Sequence, residues 1–190
     1  MSTFFIADPH LGHENIIKFE NRPFKSVDEM DDELIQRWNK KVGKNDLVYV
    51  IGDFIWDNRI NDPVSIIKSL HGQIILIRGN HDRFANKPEV KAALKGILDY
   101  ADIPVTLANG TQKRCILSHY FIPLYNGYRY GAIHLHGHSH NTEESDEERC
   151  IIAELQAKGY PIKVYNLGCV YWNFEPVTLD EILKRQNELG

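Results

Sequence analysis

Eight residues of this 190-residue chain carry groups suited to chemistry, and they fall in short clusters: Asp8 with His10, then Asp53, Asn80 with His81, His119, and His138 with His140. Neutral imidazoles mixed with hard oxygen donors suit manganese, iron, cobalt, nickel or zinc, and the lack of thiolate in the clusters argues against a structural zinc site. Two ions about 3.5–4 Å apart can share a carboxylate and a water, lowering the water's pKa enough to supply hydroxide near neutral pH. Eight candidates exceed the needs of one open site. They suffice for two ions with one residue left over.

Each cluster follows a strand-like run. The run that organises the rest is Ile74-Ile75-Leu76-Ile77, which leads through Arg78-Gly79 into Asn80-His81-Asp82. Its fully apolar, β-branched character predicts a buried strand that ends in a loop carrying chemistry. In the same way residues 4–7 lead into Asp8-Pro9-His10, 47–51 into Gly52-Asp53, 115–117 into Ser118-His119, and 132–136 into Gly137-His138-Ser139-His140. Binding groups in open α/β sheets lie just past the carboxyl ends of strands. Five strand ends with Asp, Asn or His beyond them predict one shared site.

Helical patterns separate the early runs. Residues 11–19 form a glycine turn and a short helix, closed by Pro23. Ser26 and Glu29 make a capping box for a helix that carries Val27, Met30, Leu34, Ile35 and Trp38 on one face and ends at Gly43. Asn61 or Asp62 caps a helix opening with Pro63 and running through Ile66, Ile67 and Leu70 to Gly72, and 88–95 predicts another. This alternation predicts βαβ units and a largely parallel sheet. Later runs at about 97–101, 104–108, 113–118 and 131–137 are separated by Pro104, Asn109-Gly110 and a Tyr/Gly-rich loop. Asn-Gly predicts an antiparallel hairpin across Val105 to Leu117. A helix is expected from Ser145, with Glu148 completing its cap, burying Ile151, Ile152 and Leu155; a strand at 162–167, a turn at Gly168 and a last helix near Thr178 follow. The expected product is a single domain over 1–190, two β-sheets face to face with helices outside.

Composition sets the class. With 43% hydrophobic and 25% charged residues, the chain reads as an ordinary soluble globular protein. Its formal net charge of −4 owes much to Glu143, Glu144, Asp146, Glu147 and Glu148, a cluster read as a solvated helix start; the remainder is close to neutral. Neither value resembles the basic footprint of a duplex nucleic-acid binder. Cys115, Cys150 and Cys169 are odd in number and form no CxxC pair, so they read as reduced core thiols of a cytoplasmic protein and not as metal ligands. The first apolar run is short and lacks a basic leader, so no signal peptide is read, and no segment approaches the ~20 apolar residues of a membrane span.

The ordered blocks DxH, GD, GNH with an acid, a single His and GHxH stand here as Asp8-Pro9-His10, Gly52-Asp53, Gly79-Asn80-His81-Asp82, His119 and Gly137-His138-Ser139-His140. In these blocks the chain resembles the calcineurin-like metallophosphoesterases, in the small, cap-less form of bacterial and phage members. The resemblance implies an α/β fold, a four-layer αββα sandwich of two mixed β-sheets flanked by helices. It implies two divalent ions, manganese first, with iron, nickel, zinc or cobalt as alternatives. Asp8, His10 and His140 would hold one ion and Asn80, His119 and His138 the other, with Asp53 bridging. A metal-bridging hydroxide would attack phosphorus, and His81 would stabilise charge and protonate the leaving oxygen. The implied activity is that of a phosphodiesterase or phosphatase on a small, nucleotide-like ester. Some members place an acidic partner for the catalytic histidine three residues after the bridging aspartate; here that position is Trp56, and the nearest acid is Asp57. Asp82 would either orient His81 or hold its loop by accepting backbone N–H bonds.

Other groups take plainer readings. His71, His134 and His136 read as structural, and His13 as either a phosphate contact or a cap of its turn. Tyr120, Tyr125, Tyr128 and Tyr130 read as packing, with a base pocket as the alternative. Arg78 is expected to pair with a carboxylate, and Arg83 and Arg129 are candidate phosphate contacts. Two rival functions remain: a nuclease of single-stranded or damaged ends, which the lack of a basic stripe disfavours, and a metal-binding scaffold without turnover, which the complete set of blocks disfavours. A small phosphoester is the expected partner, and no membrane is.

Overall fold

A computed structural model describes residues 1–56, 59–60 and 62–189. The first half alternates strand and helix: β1 (Thr3–Ile6), α1 (Glu14–Phe19), α2 (Val27–Lys41), β2 (Leu47–Ile51), α3 (Pro63–Ser69), β3 (Gln73–Ile77), α4 (Pro88–Ala93) and β4 (Gly96–Leu98). The second half holds β5 (Ala101–Thr106), β6 (Gln112–Leu117), β7 (Ile133–His136), α5 (Glu143–Ala157), β8 (Val164–Asn166), β9 (Val177–Thr178) and α6 (Leu179–Leu189).

The strands form two mixed sheets. One has the order β4-β3-β2-β1-β9, parallel except for β9, and the other β5-β6-β7-β8, parallel except for β5. Period-two alternation decides what each face meets. Phe4, Ile6, Val48, Val50, Ile74 and Leu76 pack with helix residues such as Met30, Leu34, Trp38 and Ile67. Phe5, Tyr49, Ile51 and Ile77 turn the other way, onto Cys115, Leu117, Ile133 and Leu135 of the second sheet. A smaller cluster with Ile116 and Ile162 lies beside Ile152 and Leu155 of α5. The architecture is the expected α/β stack, two mixed sheets flanked by helices.

Local chemistry accounts for most boundaries. The Ser26 hydroxyl accepts from Glu29 N–H at 3.2 Å to start α2, and Asp62 Oδ1 accepts from Ser65 N–H at 3.1 Å to start α3. The alternative cap, Asn61, and Asp57 both lie outside the described residues. The Asn-Gly hairpin is present, with Thr106 paired to Gln112. Pro104 does not separate two runs: it sits inside β5, whose position at the sheet edge tolerates a residue without an N–H.

Three further expectations need correction. Helix α5 begins at Glu143 with Thr142 as its cap residue, because the acidic first turn suits the helix N-terminus there. Ser145 and Glu148 therefore lie inside the helix and are buried. Ile151 and the neighbouring Cys150 lie on the uncovered side of α5, Ile151 38% exposed and Cys150 exposed as well, so of the three cysteines Cys115 and Cys169 are core thiols and Cys150 is not. The third correction is β9, unanticipated because two residues are too short to show a period; it adds to β1 in antiparallel register.

Candidate metal centre

The five blocks sit where their strands end. Asp8 and His10 follow β1, Asp53 follows β2, and Asn80 and His81 follow β3, all from the first sheet. His119 follows β6, and His138 and His140 follow β7, from the second. The carboxyl ends of the two sheets meet, and two groups of candidate ligand atoms form, each with its members within 4.8 Å of one another: Asp8, His10, Asp53 and His140, and Asp53, His119 and His138. Asp53 belongs to both. Its Oδ2 lies 3.6 Å from His10 Nε2 and 3.6 Å from His119 Nε2. Asn80 Oδ1 lies 3.0 Å from His119 Nε2, beside the second group.

His81 belongs to neither group. It is exposed, its ring centroid is 6.0 Å from that of His10, and its backbone N–H donates to Asp53 Oδ1 at 2.9 Å. Asp82 makes no hydrogen bond to that imidazole and ties three backbone groups, accepting from Gly79 N–H at 2.7 Å, Phe54 N–H at 2.8 Å and Asp53 N–H at 2.9 Å. Of the two readings of Asp82, the geometry supports the loop-holding one. Burial pushes its carboxyl up to about 6, while those N–H donors pull the other way.

Holding so many groups together strains the backbone. Asp8, His10, Asp53, His138 and His140 all have φ between 50° and 73°, a region non-glycine residues rarely adopt and which costs of order 1 kcal/mol or more each. Side-chain size is limited too. At Gly52, with φ of +83°, a Cβ would fall 2.1 Å from His119 Nδ1, and at Gly79 it would fall 2.3 Å from Asp53 Oδ1. The glycine of GD and the glycine of GNH are thus required by the residues they face.

The electrostatics fit a cation. Burial, above all, lowers the pKa of His10, His119 and His138, so these rings stand neutral with a lone pair to offer. His119 Nδ1 lies 3.0 Å from the carbonyl of Ile51, which fixes the proton on that nitrogen and leaves Nε2 facing Asp53. Burial also raises Asp8 well above the usual carboxylate range. Asp8 Oδ1, His10 Nε2 and Asp53 Oδ2 are buried without a hydrogen-bond partner. Unpaired buried acceptors are costly, and three pointing at one locus are what a divalent ion would satisfy.

Two residues that sequence reasoning missed support the centre. Glu20 Oε1 lies 2.8 Å from His140 Nδ1, and Arg22 binds Glu20 Oε2 through Nε at 2.6 Å. Arg22 also donates to the carbonyls of Pro9 and Asp8, both at 2.9 Å, clamping the Asp8–His10 loop. Burial opposes a charge on His140, yet the Glu20 hydrogen bond and the Asp8 carboxylate outweigh it and raise its pKa. No periodic signal marks Glu20 or Arg22.

The groups open onto a cavity of about 370 Å³. His13 lines it, stacked on Trp56 at 3.9 Å and 4°, with Nδ1 3.4 Å from His10 Nδ1. His13 makes no side-chain cap to α1, so the capping alternative falls away. Trp56 takes the place of the acid and lies 4.9 Å from the His81 ring. Tyr120 reaches Asn80 Oδ1 at 3.4 Å and covers His138 edge-on at 4.5 Å. Tyr125 and Tyr128 pack under α5, and Tyr130 is 91% exposed, so no tyrosine base pocket forms. Arg78 meets Asp99 at 3.5 Å and Asn86 at 3.0 Å, as a pairing partner should. Neither Arg83 nor Arg129 lines the cavity, and Arg129 packs over the rings of Tyr128 and Tyr160. His71 and His134 are held by backbone groups, Asn39 and Val42 carbonyls for one, the Ile116 carbonyl and Ile122 N–H for the other.

The profile of the family described as calcineurin-like phosphoesterase matches residues 1–188. The chain belongs to that family. Family membership and the buried Asp/His cluster together fit a metal-dependent phosphoester hydrolase. Among similar proteins, the uncharacterized protein MJ1445 of Methanocaldococcus jannaschii is 32% identical over 95% of this chain and 89% of its own length. The gene 66 protein of Mycobacterium phage D29 is 29% identical over 74% and 79%. A crystal structure of the Aquifex aeolicus protein of unknown function AQ665 superposes with a TM-score of 0.68 at 27% identity, covering 96% of this chain and 97% of that one. These relatives, uncharacterized or phage proteins, fit a small, cap-less member of the family. Among the described residues no helix is long and apolar enough to cross a membrane.

Proposed function

We propose that this protein is a dinuclear metal-dependent phosphodiesterase that acts on a small, nucleotide-like ester. The observation that carries the reading is the place of Asp53 in both ligand groups, with Oδ2 unpaired between His10 and His119. Asp8, His10, Asp53 and His140 would hold one ion, and Asp53, Asn80, His119 and His138 the other. Two bound divalent ions supply Lewis acidity, activating water and neutralising charge on phosphoryl oxygens; manganese heads the candidates.

The chain's own residues do the rest. His81 stands at the open side of the pair, free to donate a proton to the leaving oxygen, and Asp82 keeps its loop in register with Asp53. Trp56, at the sequence position where some family members carry an acid, flanks the His81 ring. Substrate charge is constrained by the lining: no Lys or Arg is among the described residues of the cavity, and Glu144 stands at its edge. A monoester dianion would meet no fixed positive side chain there, whereas a diester brings a single charge. Ile16, Phe19 and the His13–Trp56 stack form an apolar, aromatic side suited to a planar substituent.

The test is hydrolysis of bis(p-nitrophenyl) phosphate and p-nitrophenyl phosphate by metal-stripped protein with Mn²⁺, Ni²⁺, Zn²⁺ or Mg²⁺ restored in turn. Metal-restored activity that favours the diester supports the reading. A monoester preference, or two bound ions with no turnover of either ester, counts against it.

A further inference from the structure

The loop after β1 and the segment after β2 are laced together by their backbones. His10 N–H donates to Asp53 O at 3.0 Å, Leu11 N–H to Phe54 O at 3.0 Å, and Trp56 N–H to Leu11 O at 2.8 Å. Gly12, at φ of +82°, turns the chain, and His13 N–H closes that turn on His10 O at 3.0 Å. The lacing sets the His13 ring flat against Trp56, with centroids 3.9 Å apart and planes within 4° of parallel. Held there, His13 brings its Nδ1 to 3.4 Å from Nδ1 of His10.

Two imidazole nitrogens that bond to each other share one proton, so one ring donates and the other accepts. The far side of His10 decides which. Its Nε2 is buried without a hydrogen-bond partner, and the residue belongs to the ligand group with Asp8, Asp53 and His140. Were His13 the donor, neutral His10 would carry its proton on Nε2, a buried N–H that lies 3.6 Å from Asp53 Oδ2, beyond hydrogen-bond reach, and has no lone pair for an ion. With His10 as donor, its proton sits on Nδ1 and Nε2 keeps the lone pair. His13 then carries its own proton on Nε2.

A ligand imidazole needs an acceptor behind it to fix its ring and tautomer. His140 has Glu20 Oε1 at 2.8 Å, and His119 has the Ile51 carbonyl at 3.0 Å. For the His10 ring, the partner among the described residues is His13 Nδ1.

We propose that His13 is a positioning residue of the metal centre: its neutral ring accepts the Nδ1 proton of His10, which leaves His10 Nε2 for an ion, and Trp56 holds His13 in place to do so. This inference rests on the dinuclear reading above. It gives Trp56 a part to play through a metal ligand, which an acid at that position would not play by stacking.

The experiment is calorimetric titration of metal-stripped full chain with Mn²⁺. A parent that binds fewer than two ions overturns the dinuclear reading, and the inference falls with it; two sites in the parent leave the inference to the variants. His13→Ala is expected to weaken one site by about tenfold or more and to leave the other unchanged. His13→Asn, whose Oδ1 takes the place of the Nδ1 acceptor, should recover most of that loss although it cannot stack on Trp56. Because Glu20 acts on the same ion through His140, adding Glu20→Gln to His13→Ala should weaken that one site further and spare the second. Unchanged affinity in His13→Ala, equal weakening of both sites, or an Asn variant no better than the Ala variant overturns the proposal. Long-range ¹H–¹⁵N spectra of the Zn²⁺-loaded parent need no substitution and decide the matter if His13→Ala fails to fold. They should show His10 protonated on Nδ1 and His13 on Nε2, and a His13 protonated on Nδ1 overturns the proposal.

Discussion

Glu20 and His140 are joined by a 2.8 Å hydrogen bond across 120 positions of sequence, and Arg22 closes the arrangement by binding Glu20 and the backbone of Asp8 and Pro9. A carboxylate behind a ligand imidazole fixes its ring and proton and raises its basicity, which typically matters 10–100-fold in metal affinity. Glu20→Gln is therefore expected to weaken one of two Mn²⁺ sites by about 10–100-fold and leave the other unchanged. Calorimetric Mn²⁺ titration of stripped protein reads both sites, and equal weakening of the two would contradict the assignment.

His81 and Asp53 should separate chemistry from metal binding. His81→Ala is expected to keep both ions and lose about 10²–10⁴-fold in kcat, the usual size of a general-acid contribution. Asp53→Ala should lose ions and turnover together. Elemental analysis beside steady-state kinetics distinguishes the two, and metal loss in His81→Ala would place that ring among the ligands.

Phe19 is 63% exposed at the edge of the metal cavity, where nothing but a ligand would cover it. Stacking on an aromatic side chain is worth about 1–3 kcal/mol per base. Phe19→Ala should raise KM for aryl or nucleoside diesters about tenfold with kcat little changed, and should not affect methyl diesters, which have no ring to stack. A fall in kcat for both classes would assign Phe19 a structural role instead.

Burial pushes the Glu148 carboxyl up to about 7, while unfolded chain leaves it near the usual 4.5. The folded state then holds the proton more tightly, so stability is lost as pH rises from about 4.5 to about 7 and stays low above that. Glu148→Gln removes this loss while keeping an acceptor for Ser139. The Tm of the metal-free variant should exceed that of the parent by a few degrees at pH 8 and match it at pH 4. His134 and His136, lowered by burial to about 4 and about 3, act on the other side, destabilising the fold as pH drops below about 6.5 in both proteins alike.

The parallel strands of both sheets and the five functional exits are legible in the sequence because each signal is local. A largely apolar run of three to five residues leads within two positions to Gly, Asp or His, and the run and its loop are adjacent in the chain. The clamp of Glu20 and Arg22 is not legible, because its meaning lies in residues 120 positions away and in a burial that two charged residues before a proline do not announce. Ser145 and Glu148 mislead for a related reason. Their spacing imitates a capping box, but Glu148 bonds Ser139, outside the helix, and α5 begins two residues earlier. Trp56 shows the limit of pattern transfer: its stack with His13 depends on a ring contact between two loops that no spacing rule contains.

The proposed centre draws Asp8, His10, Asp53 and Asn80 from one sheet and His119, His138 and His140 from the other, so its ions would have no complete home in a half-made chain. During synthesis Asp8 and His10 emerge long before His138 and His140, and ion capture at the proposed centre would wait until both sheets have docked. On that assignment metal uptake would be a late event in maturation, following the docking of the two sheets. Ligands absent from a transition state stabilise by slowing escape from the native state and not by hastening arrival. Added Mn²⁺ should accordingly lengthen the lifetime of the native protein against unfolding in denaturant, while leaving its refolding rate nearly untouched.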